Sequence, residues 1–456
     1  MLSSQERATV IAIRDNIAIP KAESNGEQWL AYGNQLYRIR KYTDAVLAFD
    51  KAIAKGQQYQ LLGNYGKALA LLWNTDTTQA LRAISTAISV VPASEKNRYY
   101  YLWKYQSFIF KALDKDDEAM RSINIAIGLE PNDLILLNEK AFIFIKRKQY
   151  SKAISIYDSI INKKPESYFY SNRGVAKDNL GQKQAAIIDY NRAISINPND
   201  DQAYYNRGSV KSELGQKQAA IADYNRAIYI NPNHAQAYYN RGNTRSELGQ
   251  KQAAIADYDQ AISINPNYAQ AYVNRASAKF ALGQKQAAIT DYDRAISINP
   301  NFAQAYVNRG TVKSELGQKQ SAIADYDRAI DINSNDAQAY YNRGLVKYEL
   351  GQKQAAIADY DRAIAINPND ADAYSNRGVV KSELGQKQAA IADYDRAIAI
   401  NPNFAQAYGN RGVVKYELGQ KQLAINDLTK AAELFRQQNR LDDYQRAIGL
   451  IQQIRG

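Results

Sequence analysis

Between about residues 167 and 438, apolar and small side chains fall at helical spacing in blocks that return every 34 residues. In the block that begins at Asp201, Tyr204 and Gly208 lie four apart in the first half, while Ala220, Tyr224, Ala227 and Ile228 form a stripe in the second. Each half predicts one amphipathic helix. Leu214-Gly215 separates the halves and Asn231-Pro232-Asn233 closes the block; glycine suits a tight turn and proline ends the second helix. Gly208 and Ala220 are small enough to let two helix backbones approach closely, so the block predicts a helical hairpin. Eight such blocks are marked by Asn-Arg-Gly at Asn172, Asn206, Asn240, Asn308, Asn342, Asn376 and Asn410, and by Asn-Arg-Ala at Asn274. Fixed spacing at this length predicts a stacked repeat array.

Numbered from Asp201, a block holds Tyr204, Gly208, Ala220, Tyr224, Ala227 and Pro232 in slots 4, 8, 20, 24, 27 and 32. This pattern resembles the tetratricopeptide repeat. The resemblance extends upstream in weaker form: Trp29, Gly33, Tyr42, Ala45, Phe49 and Ala52 fit a first repeat, and Ala68, Ala80, Ala87 and Pro92 a second. Trp103, Ala119, Ala126 and Pro131 fit a third, and Ala141, Phe144, Tyr150, Ala153, Tyr157 and Pro165 a fourth. It implies an all-α fold, a right-handed superhelical solenoid of about twelve helix-turn-helix hairpins. The expected organisation is four divergent units over 26–166 and eight near-copies over 167–438, between an amphipathic capping helix in 1–25 and another in 439–456. The repetition of Asn-Arg-Gly and Gly-Gln-Lys-Gln is similar in style to bacterial, particularly cyanobacterial, members of the family.

Composition narrows the chemistry. No cysteine is present, which removes disulfides, thiolate metal sites and cysteine nucleophiles together. The single histidine, His234, sits in an inter-repeat loop and reads as a surface residue. Gly63, Gly66 and Lys67 are spaced too closely for a phosphate loop, and Ala68 stands where a hydroxyl is needed. Carboxylates recur in every block, whereas an active site needs one particular pocket. Neither a signal peptide nor a membrane span is indicated, and the expectation is a cytoplasmic, non-catalytic protein with no cofactor and no metal.

Function then rests on the surface the repeats present. The resemblance implies that the first helix of each hairpin lines a concave groove through slots 2, 5, 6, 9, 12 and 13. Slot 6 is Asn in all eight near-copies: Asn172, Asn206, Asn240, Asn274, Asn308, Asn342, Asn376 and Asn410. An amide both donates and accepts, so this ladder can bond the backbone of an extended peptide without demanding a sequence; the alternative is that each Asn bonds only its neighbouring repeat. Slot 5 adds Tyr205, Tyr239 and Tyr341, or Val273 and Val307, and slot 13 adds Glu213, Glu247, Glu315, Glu349, Glu383 and Glu417. The expected groove is polar, dotted with aromatics and mildly acidic, suited to an uncharged or basic partner.

Two departures from the family pattern are systematic. Slot 7 is Arg and slot 23 is Asp in every near-copy, and an antiparallel hairpin turning near slot 15 sets these two opposite each other. An Arg–Asp pair inside each hairpin is expected. Slot 11 is Lys, or Arg245 in one copy, and slot 17 is always Lys, from Lys183 to Lys421, which predicts a row of positive charge along one edge. The formal net charge is +12, spread along the chain. Such an edge could meet a polyanion or an anionic surface, although every block carries acids and no nucleic-acid module appears.

The reading that follows is an interaction scaffold gripping an extended segment of a protein or peptide partner through the asparagine ladder. A structural or self-associating spacer and a polyanion-binding edge are the alternatives; nucleic acid is not favoured. Uniform copies offer a uniform track, so specificity is expected in the divergent units, where Trp29, Tyr99, Tyr100, Tyr101, Trp103 and Tyr105 cluster aromatic surface.

Overall fold

The computed structural model describes residues 19–456. Among them every regular element is helical, and the chain divides into two compact units, 1–216 and 217–456.

In the first unit, helices pair in sequence order: Gly26–Arg38 with Tyr42–Ile53, Gln60–Trp73 with Thr77–Ser89, Tyr101–Ala112 with Asp116–Leu129, Leu134–Lys146 with Tyr150–Lys163, and Ser167–Asn179 with Lys183–Ile196. Helix Asp201–Glu213 ends the unit. The second opens with Lys217–Ile230 and repeats the pairing from Ala235–Glu247 and Lys251–Ile264 through Ala405–Glu417 and Lys421–Gln437, closing on Leu441–Arg455. Each second helix also packs on the first helix of the next hairpin, so each unit is an all-α solenoid of stacked hairpins. The expected N-terminal capping helix lies outside the described residues. At the other end, Ile451 and Ile454 of the last helix are buried with Ala424 and Leu428, while Leu441 stays exposed.

The hairpin is held by the slots that predicted it. Ala322, Tyr326 and Ala329 are almost wholly buried, and their counterparts repeat this along the second unit. Tyr326 lies so close to Gly310 that a Cβ there would sit 2.8 Å from the ring. Glycine in slot 8 is thus a close-approach residue, although Ala276 fills that slot in one copy and is itself buried. The turn glycines adopt positive φ, 75° at Gly317. The divergent hairpins make the same turn without glycine, at Arg40, Thr75, Asp114 and Lys148, all with φ between 57° and 64°. Left-handed backbone costs an L-residue roughly 1–2 kcal/mol, so these turns are imposed by the packing around them.

The expected Arg–Asp pair forms in all seven hairpins that lie within one unit. Arg309 Nε and Nη2 donate to the Asp325 carboxylate at 2.9 and 2.5 Å, and the pattern holds from Arg173–Asp189 to Arg411–Asp427. The pair has further partners. Lys313 sits 2.8 Å from Asp325 Oδ2, the oxygen that also accepts from Arg309 Nε, and slot 11 reaches the aspartate elsewhere, as in Lys177–Asp189 and Arg245–Asp257. The remaining nitrogen of each arginine, Nη1, reaches back to the preceding repeat: Arg309 to Asp293, Arg343 to Asp327, Arg377 to Asp361. Burial disfavours the Arg309 charge, but the hydrogen bonds to Asp325 and Asp293 outweigh it and hold the guanidinium above its ordinary range. One arginine therefore closes its own hairpin and stitches it to the one before.

The expected lysine edge is corrected by this geometry. Slot-11 lysines are largely buried against aspartates. Slot-17 lysines pair with the slot-13 glutamate of the next repeat, 30 residues on: Lys183 with Glu213, Lys217 with Glu247 at 3.0 Å, Lys285 with Glu315 at 2.9 Å and Lys353 with Glu383 at 2.9 Å. These rungs are half-exposed and each contributes about 0.2–1 kcal/mol. They neutralise the row that would have met a polyanion, and by the same pairing they cancel the acidity expected of the groove.

Candidate functional site

In the second unit the first helix of each hairpin touches the first helix of the next, as Gly26–Arg38 does Gln60–Trp73 and Ser167–Asn179 does Asp201–Glu213 in the first unit, so these helices share a face. All eight slot-6 asparagines lie half-buried on them. Slot 2 organises the amide: Gln202, Gln270, Gln304, Gln338 and Gln406 each donate Nε2 to the Asn oxygen one turn on, as from Gln304 to Asn308 at 2.8 Å. With the oxygen held, the amide nitrogen is turned toward other acceptors.

Four of these nitrogens bond the preceding repeat. Asn274 Nδ2 donates to Tyr239 Oη at 3.0 Å and to Asn243 Oδ1 at 2.8 Å. Asn376 donates to Tyr341 Oη at 2.9 Å, Asn342 to Thr311 Oγ1 at 3.4 Å and Asn172 to Asn138 Oδ1 at 3.3 Å. The neighbour-bonding alternative is thus realised at these positions. Asn308 lies within reach of the Tyr292 hydroxyl of the preceding repeat, Asn206 and Asn410 hold their glutamine without such a cross-repeat bond, and Asn240 is half-buried in the same slot.

Slot 5 splits by residue type. Tyr205, Tyr239 and Tyr341 are half-buried, whereas Val273 and Val307 are buried in the core. Burial, with Asp372 and Asp370 nearby, pushes the Tyr341 hydroxyl up to about 12, so it stays a neutral donor and acceptor near neutral pH. Tyr348 in slot 12 donates to Glu383 of the next repeat at 2.6 Å, which depresses the Glu383 carboxyl and raises the phenol to about 12.

Two pockets open on this face. One, of about 350 Å³, lies between helices Ala235–Glu247 and Ala269–Ala281 and is lined by Asn243, Ser246, Glu247, Tyr258, Asn274 and Ser277. The other, of about 400 Å³, lies between Gly26–Arg38 and Gln60–Trp73, with Leu30, Tyr37, Leu62, Tyr65 and Leu69 in its wall and Glu27 and Asn34 beside them. It is mainly apolar.

The aromatic cluster expected to give the divergent units their specificity is corrected. Trp29 and Trp103 are 3% and 6% exposed and belong to the core, and Tyr99, Tyr100, Tyr101 and Tyr105 pack against it. The exposed apolar residues on the first helices of these units are instead Leu62, Trp73, Ile135 and Phe142. Divergent repeats align poorly to the 34-residue frame, so their groove slots were not legible one by one. His234, read as a surface residue, accepts through Nδ1 from the Ala237 N–H, a helix cap made by Asp200, Asp336 and Asp370 in other copies.

Among the described residues no cluster of acidic or histidine side chains could hold a metal, and no helix is long and apolar enough to cross a membrane. Stacked hairpins with a shared face of amides, hydroxyls and small pockets define an α-helical repeat solenoid. Sequence comparison adds the family. Models described as tetratricopeptide repeat or TPR repeat match residues 179–215, 202–234, 235–268, 269–302, 291–324, 317–375, 371–404 and 405–438. Together they run without a gap from 179 to 438, more than half of the chain's 456 residues, and the chain belongs to the tetratricopeptide repeat family.

The human tetratricopeptide repeat protein 6 is 26% identical over 188 residues, 39% of this chain and 34% of the relative, so the chain spans about a third of that relative's length. Among solved structures, MamA is 29% identical, covering 36% of this chain and 96% of MamA with a TM-score of 0.35. YrrB, described as a TPR protein with an unusual peptide-binding site, is 26% identical over 40% of this chain and 95% of YrrB, with a TM-score of 0.35.

Proposed function

We propose that this protein is a non-catalytic interaction scaffold that holds an extended segment of a partner protein along the face shared by its first helices. Membership of the repeat family supports the general role. The observation that carries the finer reading is the Gln-to-Asn bond, which recurs in slots 2 and 6 and sets the amide plane in the same way from copy to copy. Asn206 and Asn410, each within its own unit, do not spend that amide on the preceding repeat and are the rungs assigned to the partner's backbone, with Tyr205, Tyr239 and Tyr341 beside the ladder. The partner segment is uncharged along most of its length, because the groove's glutamates are already paired with lysines.

The cross-repeat bonds of Asn172, Asn274, Asn342 and Asn376 favour a second reading, a stiff structural spacer. Binding of the full chain to arrayed dodecamer peptides separates the two. The scaffold reading expects peptides bound by the native chain and weakened in the double variant Asn206→Ala, Asn410→Ala with helix content retained. Native chain that binds no peptide and grows in size with concentration in light scattering supports the spacer instead.

A further inference from the structure

The array is not uniform, and the joint between helices Ala235–Glu247 and Ala269–Ala281 marks a site. In the second unit the slot-17 lysine of one repeat meets the slot-13 glutamate of the next in Lys217–Glu247, Lys285–Glu315, Lys319–Glu349, Lys353–Glu383 and Lys387–Glu417. The rung between them in order would join Lys251 to residue 281, which is alanine. Lys251 has no carboxylate partner among the described residues; its ammonium turns instead to Ser246, donating to the carbonyl at 2.8 Å and to Oγ at 3.0 Å.

Ser246 is also a wall of the 350 Å³ polar pocket. That pocket exists at this joint because slot 9 is small and polar on both sides, Asn243 and Ser277. Further along the array the same slot holds Leu345, Val379 and Val413, and Phe280 is the slot-12 residue of the next joint. Asn243 Oδ1 is saturated, accepting from Tyr258 Oη at 2.9 Å and from Asn274 at 2.8 Å. Its Nδ2 donors remain for a ligand.

The local charge has one sign. Glu247, the pocket's only carboxylate, is paired with Lys217, and Asp257 is shared by Arg241 and Arg245. The joint therefore lacks one carboxylate that its neighbours possess, the slot-13 glutamate, although Arg275 still reaches Asp259 across it, and a cation and a carboxamide donor stand beside an open pocket.

We infer that the pocket takes a carboxylate: a Glu or Asp side chain of the bound segment fills the gap left by Ala281, accepting from Lys251 and Asn243. The inference rests on the peptide-groove reading. It converts that reading from a track without sequence preference into one with a fixed acidic anchor at repeat 235–268.

The test uses the full chain and arrayed dodecamer peptides in which every Glu- or Asp-containing member is matched by its Gln or Asn counterpart, with bound pairs titrated by fluorescence anisotropy. The acidic member is expected to bind about tenfold more tightly, the size of a charge-assisted hydrogen bond in a partly buried site. Ala281→Glu installs the residue that six near-copies carry in this slot, so the hairpin keeps its fold, and its carboxylate captures Lys251. The preference should fall to near unity in Ala281→Glu and in Lys251→Met and persist in Lys251→Arg. Equal binding of acidic and amide peptides by the native chain overturns the inference and leaves the groove reading standing, as does a preference that survives Ala281→Glu. No peptide binding at all overturns both.

Discussion

Arg309→Leu puts leucine where the family pattern ordinarily has it, and should nevertheless destabilise the hairpin. Asp325 is 4% exposed and receives two hydrogen bonds from Arg309. Breaking a buried pair by removing one partner costs about 3–5 kcal/mol, because the other charge is left desolvated. Lys313 stays 2.8 Å from Asp325, which sets the loss at the lower end. The bond from Arg309 to half-exposed Asp293 adds at most about 1 kcal/mol, and its stacking over Tyr306 at 5.4 Å a similar amount. Burial of the new leucine offsets about 1.5 kcal/mol. A net loss of about 3 kcal/mol raises the opening equilibrium by roughly 150-fold. Global melting is a poor measure in a long array whose cooperativity breaks down. Amide hydrogen exchange followed by mass spectrometry resolves the hairpin itself. Exchange should accelerate across 303–336 and change little across 371–404, because each repeat packs only on its neighbours. Replacing the whole cluster, Arg309→Leu with Lys313→Tyr and Asp325→Ala, should restore most of the protection. Unchanged or greater protection in the single variant refutes the reasoning.

Two further outcomes follow from single atoms. The Tyr360 hydroxyl is buried without a hydrogen-bond partner, because Leu345 stands where Asn243, Ser277 and Thr311 serve the equivalent tyrosines. Tyr360→Phe should therefore slow exchange in 337–370, while Tyr258→Phe, which removes one of the two donors to Asn243 Oδ1, should hasten it in 235–268, each by about 1 kcal/mol; equal effects would contradict the assignment. Thr75 is a β-branched residue at φ 64° in a turn that the near-copies make with glycine. Thr75→Gly should stabilise 60–89 by roughly 1 kcal/mol in the same exchange measurement, and a loss of protection there would count against strain at that turn.

How much could be read in advance depended on whether both partners of a contact lie within one repeat. Tyr326, Ala322 and Gly310 were legible because helical spacing alone puts them on one seam. Arg309 and Asp325 were legible because slots opposite each other in a hairpin have a fixed sum. Lys313 was not, since its aspartate had already been assigned a partner. Lys285–Glu315 was not either, because nothing in a single repeat says that its turn lies against the groove edge of the next. That omission produced both errors of charge, a basic edge and an acidic groove, from two rows that cancel. In the divergent units Trp29 and Trp103 read as surface for want of a clear frame, although each occupies the family's core slot 4.

The division of labour among slots also says how such an array can vary without failing. Slots 7, 17 and 23, which close hairpins and stitch joints, are the same residue in all eight near-copies, and slot 11 varies only from Lys to Arg. Slots 5, 9 and 12 differ from copy to copy: Asn243, Ser277, Thr311, Leu345 and Val379 all occupy slot 9. Since most joints use the same charged contacts, exchanging one copy for another keeps those contacts and changes chiefly the residues in slots 5, 9 and 12. Ala281 is the exception that tests this separation, because slot 13 serves the joint and the groove at once. Its loss costs an exposed rung worth at most about 1 kcal/mol, which the Asn274–Asn243 bond across the same joint can replace. A joint can thus give up its carboxylate without coming apart, and the lysine left behind becomes available to a partner.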